Sequence, residues 1–419
     1  MAKKKQQVKK PREMSKRQLS RWQKQARRER IIRYTGISIL IAVICVVAAG
    51  IFITQFKPLF DTAIRVNDTK FNTQYYINML KHFREFKPGT NIQLLSFEVD
   101  KAIKQNELIR QGALELGITV SDDEVDTEIE DRDPPFHRDV VRTQLLTQKL
   151  LDEHFEQEVP TSADQRHIQA IFLEGEAQAL EITDKLNAGE GFAELATEYS
   201  LDAATKDKNG DIGWHPRGIV SLMLSSPVAE DYAFNAEIGV LSQPIYDEDK
   251  PKGAGYWLIK IQEQKEDSDA VKIGVMLLGS EAGAQEAQAR LAAGDDFGDV
   301  AADMSQLDEA EENRGDIGEV TPGILSTIMN DFIFDPEVEV GEVSEPIHDE
   351  NTATVGGYWL IKVVDKDADR EIDDEDRTTL KNIALGEWVQ SLEDDPDNEV
   401  ESLLGGDKVA WAVEKATGS

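Results

Sequence analysis

Cysteine is nearly absent: the 419 residues contain one, Cys45. That excludes an internal disulfide framework, a Cys-x-x-Cys redox pair and a cysteine-built zinc site. Basic charge is also in deficit. Lys and Arg total 46 against 80 Asp and Glu, a formal net charge of −34. Such a balance excludes nucleic acid as the main partner, because phosphate binding needs a basic face. The six histidines show no His-Glu-x-x-His spacing, and neither a Walker loop nor Gly-x-Ser-x-Gly is present. Asp365-x-Asp367-x-Asp369 has the spacing of a calcium loop. Arg370 stands where that loop needs Gly, however, and Asp376 where it uses Glu. No metal and no small-molecule cofactor is expected.

What is present is unevenly distributed. Met1 to Arg33 hold 14 Lys and Arg and two Glu, a net of +12, so the remainder carries −46. After this basic arm (1–33), Tyr34–Phe56 has no charged residue in 23 positions. A helix needs ~20 apolar residues to cross the hydrocarbon core of a bilayer. The span predicts one transmembrane helix over 34–56, with the basic arm cytoplasmic and everything after Lys57 outside. A cleaved signal peptide is the rival reading, since Val47-Ala48-Ala49 has the small residues of a cleavage site. The long arm and long apolar run favour a retained anchor. Cys45 follows Ile44, where a lipoprotein signal would place a small residue. With Cys45 in the membrane, the outer part has no free thiol in an oxidising exterior.

The outer part repeats itself. Ala188-Gly189-Glu190-Gly191-Phe192 returns as Ala293-Gly294-Asp295-Asp296-Phe297, and Asn209-Gly210-Asp211-Ile212-Gly213 as Arg314-Gly315-Asp316-Ile317-Gly318, each 105 positions later. Gly239-Val240-Leu241-Ser242 and Gly255-Tyr256-Trp257-Leu258-Ile259-Lys260 return 102 positions later as Gly341-Glu342-Val343-Ser344 and Gly357-Tyr358-Trp359-Leu360-Ile361-Lys362. Two modules follow, 164–266 and 269–367, each of ordinary domain size. Within the first, Ile168–Leu173 and Tyr256–Ile261 read as strands, and 177–186 and 192–199 as helices. That pattern is a small sheet with helices packed on it.

Helical segments flank the modules. In 62–160, a long helix over 94–116 stops at Gly117, Ser121-Asp122-Asp123-Glu124 reads as a capping box, and Asp133-Pro134-Pro135 interrupts. Leu145, Leu146, Leu150 and Leu151 give 140–155 an apolar stripe. In 373–419, Leu380, Ile383, Ala384 and Trp388 mark another helix. Neither flank is large enough for a core of its own, so the two are expected to pack together.

The ordered set Arg166-His167-Ile168, Gly189-x-x-Phe192, Ser200-x-Asp202, Asn209-Gly210-Asp211-Ile212-Gly213-Trp214 and Gly255-Tyr256-Trp257-Leu258-Ile259-Lys260 resembles the parvulin-type peptidyl-prolyl isomerases. The stretch 106–129 resembles the helical chaperone domain that precedes parvulin domains in SurA-like and PrsA-like foldases. The resemblance covers about 62–419. It implies an α+β fold: one transmembrane helix, a helical chaperone domain, two parvulin-like domains with small antiparallel sheets, and a C-terminal helix returning to the chaperone domain. It also implies a site in the first module. His167 matches the histidine that begins the first strand, and Asp202 the acidic residue after the second helix. The second histidine of the family is replaced by Trp257. A Phe that lines the proline pocket is replaced by Ala229, after an insertion around 219–226, so Leu222, Met223, Leu224 or Trp257 would refill the pocket. Gln169 shares the strand face of His167, and Trp257 is expected beside His167 if the last strand lies next to the first. The second module departs further, with Lys272, Leu307 and Trp359 at the corresponding places, which marks it as degenerate.

Taken residue by residue without the resemblance, His167 also reads as a structural histidine tying a strand to its neighbour, Asp202 as a helix or turn cap, and both tryptophans as core aromatics. With it, the expected function is a membrane-anchored extracytoplasmic isomerase acting on exported unfolded polypeptides through His167 and Asp202, with Gln169, Met223, Leu224 and Trp257 contacting the substrate. A holding chaperone without catalysis, or an envelope scaffold, are the alternatives.

Overall fold

The computed structural model describes residues 16–129, 135–264 and 270–418. The basic arm before Lys16, the interruption at Asp133-Pro134 and the junction between the two modules lie outside the described residues. The chain forms two compact units, one made of the N-terminal part through Glu153 with Leu385–Ser419, the other of His154–Ala384.

In the first unit, a helix over Lys16–Ile51 continues through a π-helical turn, Phe52–Phe56, into Lys57–Phe60. The stretch Arg33–Phe60 is long and apolar enough to cross a membrane, and none of it is buried in the protein. A hairpin of β1 (Thr62–Val66) and β2 (Thr69–Asn72) follows, turning at Asn67, whose φ of 53° is the left-handed conformation Asn tolerates. The hairpin is absent from the sequence reading. A strand from the far end of the chain, Val400–Ser402, pairs antiparallel with β1 (Arg65 opposite Glu401). Asn72 caps the helix Thr73–Phe86 by accepting from the Tyr75 N–H, and Asn91 caps Ile92–Glu115. The latter ends as its sequence requires: Gly117 takes φ +77° and the Ile118 N–H returns to the Ala113 carbonyl. The Ser121–Glu124 capping box is also present. The C-terminal helix Gly406–Thr417 places Ala412 and Ala416 in a core with Tyr76, Leu80, Leu95 and Ile103. Trp388 and Leu392 fill the space beside Gly112, where any Cβ would meet them within 2.8 Å. The two flanking segments therefore share one core.

The second unit holds two four-stranded antiparallel sheets, built from β3 (Ser162–Leu173), β4 (Asp211–Pro216), β5 (Ile245–Lys252), β6 (Gly255–Gln264), β7 (Val271–Leu278), β8 (Asp316–Val320), β9 (Ile347–Asp349) and β10 (Thr354–Glu371). Their orders are β4-β3-β10-β5 and β8-β7-β6-β9. The sheets thus do not follow the repeats. Each takes three strands from one repeat and its fourth, interior strand from the other. β3 pairs with β10 (Ile171 opposite Leu360), while β6 pairs with β7 (Ile259 opposite Val275). The exchange is reciprocal in detail. Ser242 Oγ accepts from Ile361 N–H at 2.9 Å, and Ser344 Oγ from Ile259 N–H at 3.0 Å, the same bond 102 residues apart.

The reason lies in the repetition itself. β6 and β10 share Gly-Tyr-Trp-Leu-Ile-Lys, so each carries the same six residues to the interior place of its sheet, and like elements are the ones that can be exchanged. The crossing points touch. Thr354 Oγ1 donates to the Ala254 carbonyl, and Lys252 Nζ donates to the Gly356 and Val355 carbonyls. Pro251 is tolerated in β5 because β5 is an edge strand.

Lys252 makes the crossing sensitive to pH. Burial pushes its ammonium down to about 8 from an ordinary value near 10.5. Between these values the unfolded chain holds a proton that the folded unit has shed, so stability rises with pH across that window. Urea titrations at pH 7.5 and 10 will show the gain, and Lys252→Met will remove it.

Candidate functional site

Strand alternation sorts the residues of β3. Ile168, Ala170 and Phe172 face one core, together with Trp359 and Ile361 of β10 and with Val220, Leu224, Ala229 and Ala233 from the helices Ile219–Leu224 and Pro227–Asn235. Ile171 and Leu173 face the other core, under the helices Glu176–Asn187 and Phe192–Tyr199.

A buried polar network lies on the Phe172 face. Asp202 caps the short helix Ala203–Asp207 by accepting from Thr205 N–H at 2.9 Å, and its other oxygen takes the Lys250 ammonium at 2.7 Å. Both partners are 7% exposed. Lys250 also donates to the Leu224 carbonyl at 2.7 Å and lies 5.5 Å from the centroid of the Trp359 ring. Trp359 Nε1 donates to Asp247 Oδ2 at 2.9 Å, and the buried Ser226 hydroxyl donates to the same oxygen. Every charge here has a partner, as burial demands. The insertion noted at 219–226 closes this face: Val220 and Leu224 are fully buried against the sheet.

His167 is not part of this network. It lies on the opposite face of β3, where Nε2 is 2.7 Å from Asp211 Oδ1 and the ring stacks on Trp214, with Arg370 over the far ring. Gln169 shares that face by alternation. The expectation of His167 beside Asp202 is therefore corrected: Gly213, at φ +88°, bends β4 so that Asp211 and Trp214 take up the histidine. Met223 and Leu224 do share the core of Asp202. Trp257 does not, because β6 belongs to the other sheet. Its place is filled by Trp359. Lys250, Asp247 and Ser226 escaped the sequence reading. A Lys three residues after an Asp on a polar edge strand gives no sign of burial. The acidic triplet Asp365, Asp367 and Asp369 is extended in β10, and no cluster of metal-binding side chains occurs among the described residues.

The second sheet repeats the clasp with looser covering. Trp257 Nε1 donates to Asp349 at 3.2 Å, the counterpart of Trp359 and Asp247. Burial works to raise the Asp349 carboxyl, but donation from Thr352, the Asn351 N–H and Trp257 outweighs it and holds the group below its usual value. Here Trp257 is half-buried where Trp359 is fully buried. The cause is visible in the chain. In place of the helix 219–224, the second repeat has turns over 322–325 before its helix Thr327–Ile333. Leu325, Phe332 and Phe334 remain partly exposed around Trp257. The result is a partly exposed apolar surface of largely aromatic side chains on this face of the second sheet.

The family model described as the PPIC-type PPIase rotamase domain matches twice, over 157–263 and 257–365. The chain belongs to the PPIC-type rotamase family. The two rotamase matches overlap at 257–263, within β6, the strand that the first repeat gives to the second sheet. The chain is similar to foldase protein PrsA of Caldanaerobacter subterraneus subsp. tengcongensis, 32% identical over 179 residues, covering 39% of this chain and 55% of that protein. It is also similar to foldase protein PrsA of Halalkalibacterium halodurans, 38% identical over 96 residues, covering 23% and 26%. The chain thus spans about half or less of the length of these relatives. Among solved structures, the PrsA peptidylprolyl isomerase of Bacillus anthracis aligns over 75% of this chain and 95% of its own, at 16% identity and a TM-score of 0.30. The apolar N-terminal helix and the relatives fit a membrane-anchored extracytoplasmic protein.

Proposed function

We propose that the chain is an extracytoplasmic foldase, a peptidyl-prolyl cis–trans isomerase acting on exported, unfolded polypeptides. In this reading the basic arm stays in the cytoplasm and everything after Lys57 lies outside. The observation that carries it is the match of the rotamase model to both repeats. No bond has to be broken. The barrier to rotation about a peptide bond is ~18–20 kcal/mol, and X–Pro is the bond at which both isomers matter. A site lowers the barrier by binding the twisted amide better than either planar form.

The partly exposed apolar face of the second sheet suits that task better than the covered face of the first. Trp257, Leu325, Phe332 and Phe334 offer a partly exposed apolar surface for a prolyl ring, and Asp349 fixes the indole by its hydrogen bond. The corresponding face of the first sheet is filled by Trp359, Leu224 and the Asp202–Lys250 pair. Asp202, Met223 and Leu224 act there as supports, and His167 and Gln169 lie on the far face. In this reading the second repeat, degenerate in its motifs, carries the working face, completed by a tryptophan from the first.

Proline-limited refolding of a denatured client, with the full chain in detergent, tests this. The chain will accelerate the slow phase, Trp257→Ala will cut the acceleration about tenfold, a loss of ~1.4 kcal/mol of transition-state stabilisation, and His167→Ala will leave it intact. Protection from aggregation with no acceleration would assign a holding chaperone instead.

A further inference from the structure

The first unit exposes large apolar side chains at one end. Phe86 is 73% exposed, Leu94 53% and Phe97 67%. They surround the turn that joins the helices 73–86 and 92–115, and the lipid-facing part of the chain is close by. The C-terminal helix runs back along the end of the span: Lys408 lies 3.6 Å from Asp61, and one helical stretch later Lys415 Nζ donates to Gln55 Oε1 at 2.6 Å. Arg84, two residues before Phe86, donates to the Ala416 carbonyl at 3.3 Å. The tip is thereby held level with Gln55, which is the next-to-last residue of the uncharged run. Phe60, 71% exposed, lies a turn farther along.

We infer that this tip, Phe86, Leu94 and Phe97, rests in the headgroup layer of the membrane that the span crosses. The inference rests on reading 34–56 as a membrane span. Three aromatic or aliphatic side chains exposed together at the level where the span leaves the hydrocarbon form an interfacial contact, the place where amphipathic and aromatic groups are favoured. Charge agrees. The outer part is strongly acidic and is repelled by anionic headgroups. At this end, Lys57, Arg84, Lys87 and Lys415 offset Asp61, Glu85, Glu98 and Glu414, so the repulsion is locally cancelled. Span and tip together give the unit two points of attachment, which fixes its tilt and its height above the bilayer.

The test uses the full chain in vesicles of phosphatidylcholine and phosphatidylglycerol, with Cys45→Ser and single reporters. Phe86→Cys and Phe97→Cys carry a polarity-sensitive fluorophore at the tip, Phe52→Cys marks the span, and Leu114→Cys, exposed near the other end of the helix 92–115, marks the first unit away from the tip. Lipids with a nitroxide near the headgroup are expected to quench both tip reporters about as strongly as Phe52→Cys and to leave Leu114→Cys bright. Quenching at Phe52→Cys with none at the tip overturns the inference while keeping the span. No quenching at Phe52→Cys overturns the span reading and the inference with it. A tip that ignores lipid but responds to added unfolded polypeptide is a client surface, which also overturns it.

Discussion

Cysteines placed at Gln169 and Lys362 in a Cys45→Ser background will join within one chain on mild oxidation, and cysteines at Gln169 and Lys260 will stay reduced. Gln169 and Lys362 stand opposite each other in the β3–β10 ladder, and both are partly exposed. Directly opposed residues in an antiparallel pair have Cα atoms ~4.5–5.5 Å apart, inside the range a disulfide spans. Lys260 is the residue equivalent to Lys362 in β6, and it pairs instead with Gly274 of β7. Colinear repeats would reverse the two results. Strands exchanged between two copies would also join Gln169 to Lys362, but as a disulfide-linked dimer. Gel mobility without reductant distinguishes all three arrangements, and the expected product is a monomer.

Trp359→Ala will unfold the first sheet more readily by about 3–5 kcal/mol, the usual cost of emptying a large aromatic site. Trp359 has no exposure, packs 4.8 Å from the Phe172 ring and donates to Asp247. Its loss also leaves the buried Asp247 carboxylate with Ser226 as its hydrogen-bonding side chain, and burial makes a lost partner costly. The damage falls on the sheet that holds β3, β4 and β5, although residue 359 belongs to the second repeat. Trp257→Ala will cost markedly less, because Trp257 is half-buried. Urea unfolding followed by circular dichroism measures both. Equal costs would contradict the difference in covering between the two tryptophans.

Much of this architecture was legible in the residues. The long apolar helix, the capping box at Ser121, the stop at Gly117 and the two repeats each follow from a local signal, and the shared core of the flanking segments from their small size. The exchange was not, and for a physical reason. A repeat is recognised because its parts are alike, and likeness is what makes β6 and β10 interchangeable. The sequence specifies a strand for each place but not which of the two strands occupies it. The same gap misplaced Trp257. His167 failed for another reason. Side chains on neighbouring strand positions point to opposite faces, so an assignment displaced by one residue moves a histidine across the sheet. Ile168, Ala170 and Phe172, not His167, are the β3 residues that share the core of Trp359 and Leu224. The buried pair Asp202–Lys250 joins positions 48 apart, with nothing local to link them.

The crossing of β6 and β10 has a consequence for the order of events during synthesis. A chain made from its amino end presents β3, β4 and β5 long before β10 exists. The only Gly-Tyr-Trp-Leu-Ile-Lys segment then available is β6, which fits the vacant slot. In the finished protein that slot belongs to β10, and β6 stands beside β7. Neither sheet can therefore reach its final strand order before the second repeat has been made.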